Sequence, residues 1–381
     1  MDSKKVGDTM STIYLDNAAS TPVHPSVLTK FNEVAENLYA NPSSQHMAGL
    51  SANRTVFQTQ DKIAEKLSCE YDEIYFTSGA TMSNNVLIQG MLRKHPEAMF
   101  ITSAVEHNDI VELYNWLPTQ KQMVAVDKNG IIDLEQLDNL IRSCKESGIY
   151  SLVSVQMANS ETGVIQPVKQ ISEIVHQHSK AFFHSDATQY IPYYSVDVNT
   201  MGIDALSMSG QKIGGIKGSG ILYINQVLAK ELTPIIFGEQ GLIGGTYATP
   251  LIASLGEAFE LIDYDIEPLK DKTRFLLERL EALGGVLVGP KENRLPNNIY
   301  IRFPGINGLT LMNLLSDCGI YIGTGSACST DSDKPSHVAL AYGLTEDEAH
   351  ECVRFTLSNQ NTYEELEEVI KVLESILTLI K

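Results

Sequence analysis

Apolar residues along this chain follow two alternating rhythms. Short apolar runs, several of them rich in β-branched and aromatic residues, are separated by longer stretches in which apolar residues return every third or fourth position. The short runs predict strands at 73–77, 98–102, 122–126, 151–157, 181–185, 205–208 and 220–224. The longer stretches predict helices at 25–38, 47–67, 82–92, 109–116, 134–145, 168–179, 251–264 and 270–283. Ile13-Tyr14-Leu15 is a further short apolar run, and Asn41-Pro42-Ser43-Ser44 marks a turn. Strand–helix alternation of this kind makes an α/β fold, a largely parallel sheet covered by helices on both faces.

Beyond the helix at 270–283 the rhythm changes. Strands are expected at 298–303 and 320–323, with helices at 309–317, 346–351 and 363–378, a small α+β unit. The expected division is a large domain over 13–262 and a small one over 263–381, with segment 13–30 packing near the small one.

With 381 residues, 43% hydrophobic and 20% charged, the chain can bury a substantial core. Its net charge of −19 argues against nucleic acid and against an anionic membrane surface as partners. A small anionic ligand is still allowed, because such a site uses local donors. The opening residues Met1 to Asp8 hold no signal-like apolar core, and no apolar run is long enough to span a bilayer. The expectation is a soluble cytoplasmic protein. The five cysteines show no CxxC spacing, so neither a disulfide framework nor a metal site is expected.

In a sheet of this type ligands bind beyond the carboxyl ends of the strands. The polar candidates fall there: Thr77-Ser78-Gly79-Ala80-Thr81, Glu106-His107, Asn159-Ser160-Glu161, Asp186-Ala187-Thr188-Gln189 and Ser209-Gly210-Gln211-Lys212. Lys212 sits in a Ser- and Gly-rich turn between two apolar runs, read as strand, tight loop, strand. A lysine so placed can form a Schiff base with a carbonyl cofactor, or can be a surface lysine in a hairpin. Strand, small-residue turn and helix start at 77–82 make a natural phosphate cradle, and equally an ordinary helix cap. Asp186 closes an apolar strand and needs a positive partner, which a pyridinium nitrogen would provide. Gln189 can donate to a phenolate oxygen, and His107 can lie over a flat ring. Singly, each residue has a plain structural use.

Cys328 lies in Gly325-Ser326-Ala327-Cys328-Ser329-Thr330, a stretch of small and polar residues that suits an exposed nucleophile. Arg354, in the apolar run Cys352-Val353-Arg354-Phe355, calls for a carboxylate partner, internal or substrate-borne.

With these residues in order, the chain resembles the class V aminotransferase family, most closely the long-loop cysteine desulfurases of iron–sulfur cluster assembly. The motifs run from Tyr14-Leu15-Asp16-Asn17-Ala18-Ala19 through Asn41-Pro42-Ser43-Ser44, Thr77-Ser78-Gly79-Ala80-Thr81, Glu106-His107, Asn159-Ser160-Glu161-Thr162-Gly163, Asp186-Ala187-Thr188-Gln189, Lys212 and Gly325-Ser326-Ala327-Cys328 to Arg354-Phe355. The resemblance implies fold type I, with a mostly parallel mixed sheet between helices in the large domain, and pyridoxal 5′-phosphate on Lys212, with Asp186 at the ring nitrogen and Gln189 at the ring oxygen. It places His107 on the ring and Asn159 at its edge. Gly79, Ala80, Thr81, Ser209 and Gln211 would hold the phosphate, and Thr246 would reach that of the partner subunit in a homodimer. Arg354 and Asn159 would bind the carboxylate of L-cysteine. Cys328 would take the sulfur as a persulfide, release alanine, and pass the sulfur to an acceptor protein. Lys212, Cys328 and His107 are then the catalytic residues.

The chain also departs from the family. Gln211 replaces the histidine usual before the lysine, and Gln240 and Ile243 stand where the glycine-rich loop usually has arginines. Ser358-Asn359 replaces a Gly-Arg pair. Neutral donors hold an anion less strongly than charged ones. These changes keep two alternatives open: a related enzyme of the selenocysteine lyase or aminotransferase type, and a non-catalytic dimeric binding protein.

Overall fold

The computed structural model describes residues 12–239, 241–325 and 334–380. Its strands, in chain order, are β1 (Ile13–Leu15), β2 (Ile74–Thr77), β3 (Met99–Ser103), β4 (Lys121–Val124), β5 (Ser151–Ser154), β6 (Ala181–Asp186), β7 (Ala205–Ser209), β8 (Gly220–Ile224), β9 (Val286–Leu287), β10 (Asn298–Arg302), β11 (Ile320–Ile322) and β12 (Cys352–Thr356). Seven of them form the main sheet in the order β2-β8-β7-β6-β5-β3-β4. Strands β7, β6, β5, β3 and β4 pair in parallel, whereas β8 is antiparallel to both β7 and β2. This is the mostly parallel mixed sheet expected. The short link from β7 to β8 dictates the exception, since a parallel return needs a long crossover.

Side chains of successive strand residues point to opposite faces, so each central strand feeds two cores. On β8, Ile221 and Tyr223 join one core with Ile63, Leu137, Ile171 and Phe259 from four helices. Leu222 and Ile224 join the other, with Leu87, Met91, Ile110 and Leu113. A third core collects Leu276, Ile299, Leu311, Phe355, Leu366 and Leu373, and takes in Ile13 and Leu15. Those two residues belong to β1, which pairs in parallel with β11. The helix Pro25–Asn37 packs instead on the helix Thr249–Glu260.

Several element ends differ from the periodicity reading. The helix expected over 168–179 ends at Val175, where it tightens into turns that run from Gln177 N to Ile174 O and from His178 N to Val175 O. The strand expected over 151–157 ends at Ser154, although Val155 and Met157 still donate to His184 and Asp186 on the neighbouring chain segment. The helix expected from 82 starts at Ala80, directly after Gly79. Three short helices, Val198–Met201, Gln226–Ala229 and His337–Ala341, were not expected because apolar periodicity needs more than one turn to register. Among the described residues no helix is long and apolar enough to cross a membrane, and no cluster of His, Cys, Asp and Glu suits a metal ion.

Candidate active site

The carboxyl ends of β2, β3, β5, β6 and β7 converge on one side of the main sheet, and the loops leaving them line one open cavity. Lys212, Asp186, Gln189, Ser209, Gln211, His107, Ala80, Thr81 and Arg354 all line it.

Lys212 ends a single helical turn, Gly210–Lys212, that follows β7. Its Nζ donates to the carbonyls of Ala18 and Ala19, at 2.6 Å each. Gln189 donates to the same Ala18 carbonyl at 3.0 Å. The Asp16–Ser20 segment therefore forms the wall facing the lysine. Asp186 is the last residue of β6 and is 7% exposed. Its carboxylate accepts from the Thr188 backbone N–H at 2.9 Å and from the Asn84 amide at 3.3 Å, both neutral donors. Burial first, and then the nearby Asp109 carboxylate, push its pKa up. A group in that state gains from a cation brought against it.

The opposite corner is built from backbone. Gly79 has φ +144° and precedes the helix Ala80–Lys94, whose first N–H, from Ala80, donates to Ser209 Oγ at 2.8 Å. A Cβ on Gly220 would lie 2.6 Å from Gly79 Cα, so only glycine allows this close approach of β8. Helix N–H groups, the Ser209 hydroxyl and Thr81 make a donor set suited to a phosphate.

His107 caps the helix Asn108–Trp116, and its Nδ1 lies 2.8 Å from Asp109 Oδ1. Burial raises the Asp109 pKa, but hydrogen bonds from His107, Thr81 and Asn84 outweigh it and hold the carboxyl below its usual range. Arg354, on β12, donates from Nη2 to Asp16 Oδ1 at 2.8 Å and from Nη1 to the Ser160 carbonyl at 2.9 Å. Its Nε is buried and without a hydrogen-bond partner.

Two expected residues lie elsewhere. Asn159 stands behind the wall formed by Ala158 and Ser160. Its amide donates to Val105 O, and its oxygen accepts from the Glu161 and Thr162 backbone, so it shapes the loop. Thr246 lines a second cavity with Phe76, Ser78, Ile243 and Tyr247. Cys328 and Gln240 lie outside the described residues, though Gly325, shortly before Cys328, forms part of the wall around Lys212.

The structure adds residues to which the sequence reading gave no role. Glu106 is fully buried and accepts from the Ser103 hydroxyl and from Gln156 N. Burial pushes its pKa up to about 8. His337 donates from Nε2 to the Glu106 carbonyl at 2.9 Å, since a carbonyl oxygen can only accept. Burial lowers its pKa. Glu161 joins the wall beside Arg354. The signal for His337 was the Pro335-Ser336 pair ahead of an apolar run, a helix start in which Ser336 caps Ala339 N.

Taken together, the cavity offers a lysine amine, a buried carboxylate short of positive charge, an amide donor, a phosphate corner and a guanidinium. That donor set fits a flat, cationic, phosphorylated ring, together with an amino acid bound by its carboxylate. The sequence agrees with this. A family model for class-V aminotransferases matches residues 13–369. A cysteine desulfurase IscS of Methanosarcina thermophila is 36% identical, over 97% of this chain and 94% of its own. The mitochondrial cysteine desulfurase of Saccharomyces cerevisiae is 37% identical, over 94% of this chain and 73% of its own. Among solved structures, a NifS-like protein superposes with TM-score 0.89 at 32% identity, covering 97% of this chain and all of its own. A structure described as SspA in complex with cysteine superposes with TM-score 0.81 at 32% identity, covering 92% of this chain and all of its own.

Proposed function

Because the chain belongs to the class-V aminotransferase family, we propose that it is a pyridoxal 5′-phosphate-dependent cysteine desulfurase that converts L-cysteine to L-alanine and leaves the sulfur as a persulfide on Cys328. The observation that carries this reading is a single cavity joining Lys212, Asp186, Gln189, Ser209 and Arg354, with Gly325 of the Cys328 segment in its wall. When bound, the cofactor supplies an electron sink beside the substrate's α-carbon. Asp186 would set its carboxylate against a positively charged ring nitrogen. Ser209, Thr81 and the start of the helix Ala80–Lys94 hold the phosphate, with Gln211 as a neutral donor beside them. His107, oriented by Asp109, would lie over the ring. Lys212 carries the α-proton, and Arg354, kept in place by Asp16, aligns the carboxylate. The Cys328 thiolate would attack the substrate sulfur; as the sulfur–sulfur bond forms the carbon–sulfur bond breaks, and its electron pair stays with the β-carbon, which takes up a proton to give alanine.

The same reading has the enzyme work as a cytoplasmic homodimer, with Thr246 reaching the partner's phosphate. The persulfide sulfur then goes to an acceptor protein in iron–sulfur cluster assembly. The relatives named as cysteine desulfurases support the sulfur-transfer part of this reading, and Thr246 lies in a cavity apart from Lys212, as a role toward a second subunit requires. The test is alanine formation from L-cysteine by purified protein supplied with pyridoxal 5′-phosphate. Wild type is expected to produce alanine, and Cys328→Ala is expected to keep the cofactor and lose turnover. Full activity in Cys328→Ala, or turnover of L-selenocysteine alone, would overturn the proposal.

A further inference from the structure

Arg354 is crowded by negative charge. Its Nη2 is already matched to Asp16, and its Nη1 to the carbonyl of Ser160. The next residue, Glu161, is 6% exposed and lines the same cavity. Its backbone is pinned by Asn159 Oδ1 and by the Asn298 amide, and its Oε2 accepts from the Ser336 hydroxyl at 2.6 Å. It has little room to withdraw. A Cβ built on Gly325 would lie 2.4 Å from Glu161 Oε2 and 2.5 Å from the Tyr300 hydroxyl, so backbone closes that side. Seating a substrate carboxylate at Arg354 therefore brings a third carboxylate to a wall where Asp16 is ion-paired with the guanidinium and Glu161, bonded to Ser336, stands beside it.

We propose that Glu161 is a positioning residue for the substrate carboxylate and takes up one proton from solvent when that carboxylate seats against Arg354. The proposal rests on the reading of Arg354 as the carboxylate site. Buried carboxylates sharing one cation cannot all stay ionised, and the least solvated and least committed one takes the proton. Asp16 has a direct ion pair with Arg354, whereas Glu161 holds a neutral hydroxyl. The groups facing Glu161 are Arg354 and Cys352 on β12, Tyr300 on β10, His107 ahead of the helix Asn108–Trp116, and Ser336 and Tyr342 at either end of the helix His337–Ala341. Burial raises the Glu161 pKa to about 7, with Ser336 and Arg354 opposing, so an added negative charge moves it through the neutral range. Protonated, Glu161 becomes a donor that holds its place in the wall, and the carboxylate meets one repulsion fewer.

The experiment titrates the cofactor-loaded enzyme with L-alanine, which has no sulfur to lose, by calorimetry in two buffers of different ionisation enthalpy. Above neutral pH, wild type is expected to take up close to ~1 proton more than Glu161→Gln on binding. The difference vanishes below about pH 6, where Glu161 is already protonated. Over the upper range the affinity of wild type relative to Glu161→Gln falls by up to about 10-fold per pH unit. Ser336→Ala removes a bond that stabilises the ionised form, so it shifts the uptake window to higher pH. Equal proton exchange in wild type and Glu161→Gln, or a window that Ser336→Ala leaves in place, overturns the assignment. Arg354→Gln separates the two levels. If it binds L-alanine as wild type does, the carboxylate site itself is misplaced. If it loses affinity while wild type and Glu161→Gln exchange equal protons, only the role of Glu161 falls.

Discussion

Replacing Asp186 by Asn should move stability and cofactor affinity in opposite directions. In the protein without cofactor, the Asp186 carboxylate is held by Thr188 N–H at 2.9 Å and by the Asn84 amide at 3.3 Å. An asparagine oxygen can keep the first bond. Its NH2 then meets Asn84, whose own Oδ1 is buried without a partner and can turn to accept. That turn costs the bond from Asn84 to Asp109. Against this loss, the neutral side chain removes a carboxylate whose pKa is raised by burial and by Asp109. A raised pKa means the fold prefers the protonated form, so the stability tied to this group is lost as pH rises through its folded value. At pH 8 the cofactor-free Asp186→Asn protein is therefore expected to unfold in urea at the same or a higher concentration than wild type. Cofactor binding loses a charge-assisted hydrogen bond to the ring nitrogen, about 1.5–3 kcal/mol. That is roughly 10- to 150-fold in dissociation constant. Fluorescence titration with pyridoxal 5′-phosphate measures the second quantity. A variant that binds within about twofold of wild type would refute the reasoning, since one decade corresponds to about 1.4 kcal/mol. So would one that unfolds markedly earlier without cofactor, which would make Asp186 a structural cap.

Two further outcomes follow. Glu106, with its pKa raised to about 8 by burial, favours folding below the ordinary glutamate range, and that contribution is lost as pH rises to about 8. Glu106→Gln mimics the protonated form, so its unfolding midpoint should fall less than wild type's between pH 5 and 8; parallel curves would contradict this. Gln211→His restores a donor that can carry charge at the phosphate corner. A gain of about 0.5–2 kcal/mol, roughly 2- to 30-fold slower loss of cofactor on dialysis, is expected at pH 6 and less at pH 8.

The candidate site groups were legible where they ended strands. Asp186, Ser209, Lys212 and the Gly79-Ala80-Thr81 turn each follow an apolar run, and runs of that kind become the parallel strands of a layered sheet. Glu106 and Glu161 stood in quoted motifs but had no assigned role, because a carboxylate's burial depends on what other segments cover it. Asn159 shows the reverse. Its residue type suits ligand binding, yet its amide is committed to Val105 and to the loop that follows it. Nothing local distinguishes an asparagine facing a cavity from one that braces its wall.

By itself the sequence determined the order and type of the long elements and the strand ends that carry polar chemistry, since both follow from local periodicity and turn residues. Only the tertiary structure decided the strand order β2-β8-β7-β6-β5-β3-β4 and the enrolment of β1 beside β11. It alone set Arg354 against Asp16, 338 residues away in the chain, and drew Ser336 onto Glu161. Such pairings depend on which buried surfaces complement one another across the whole fold, and no local pattern encodes that choice.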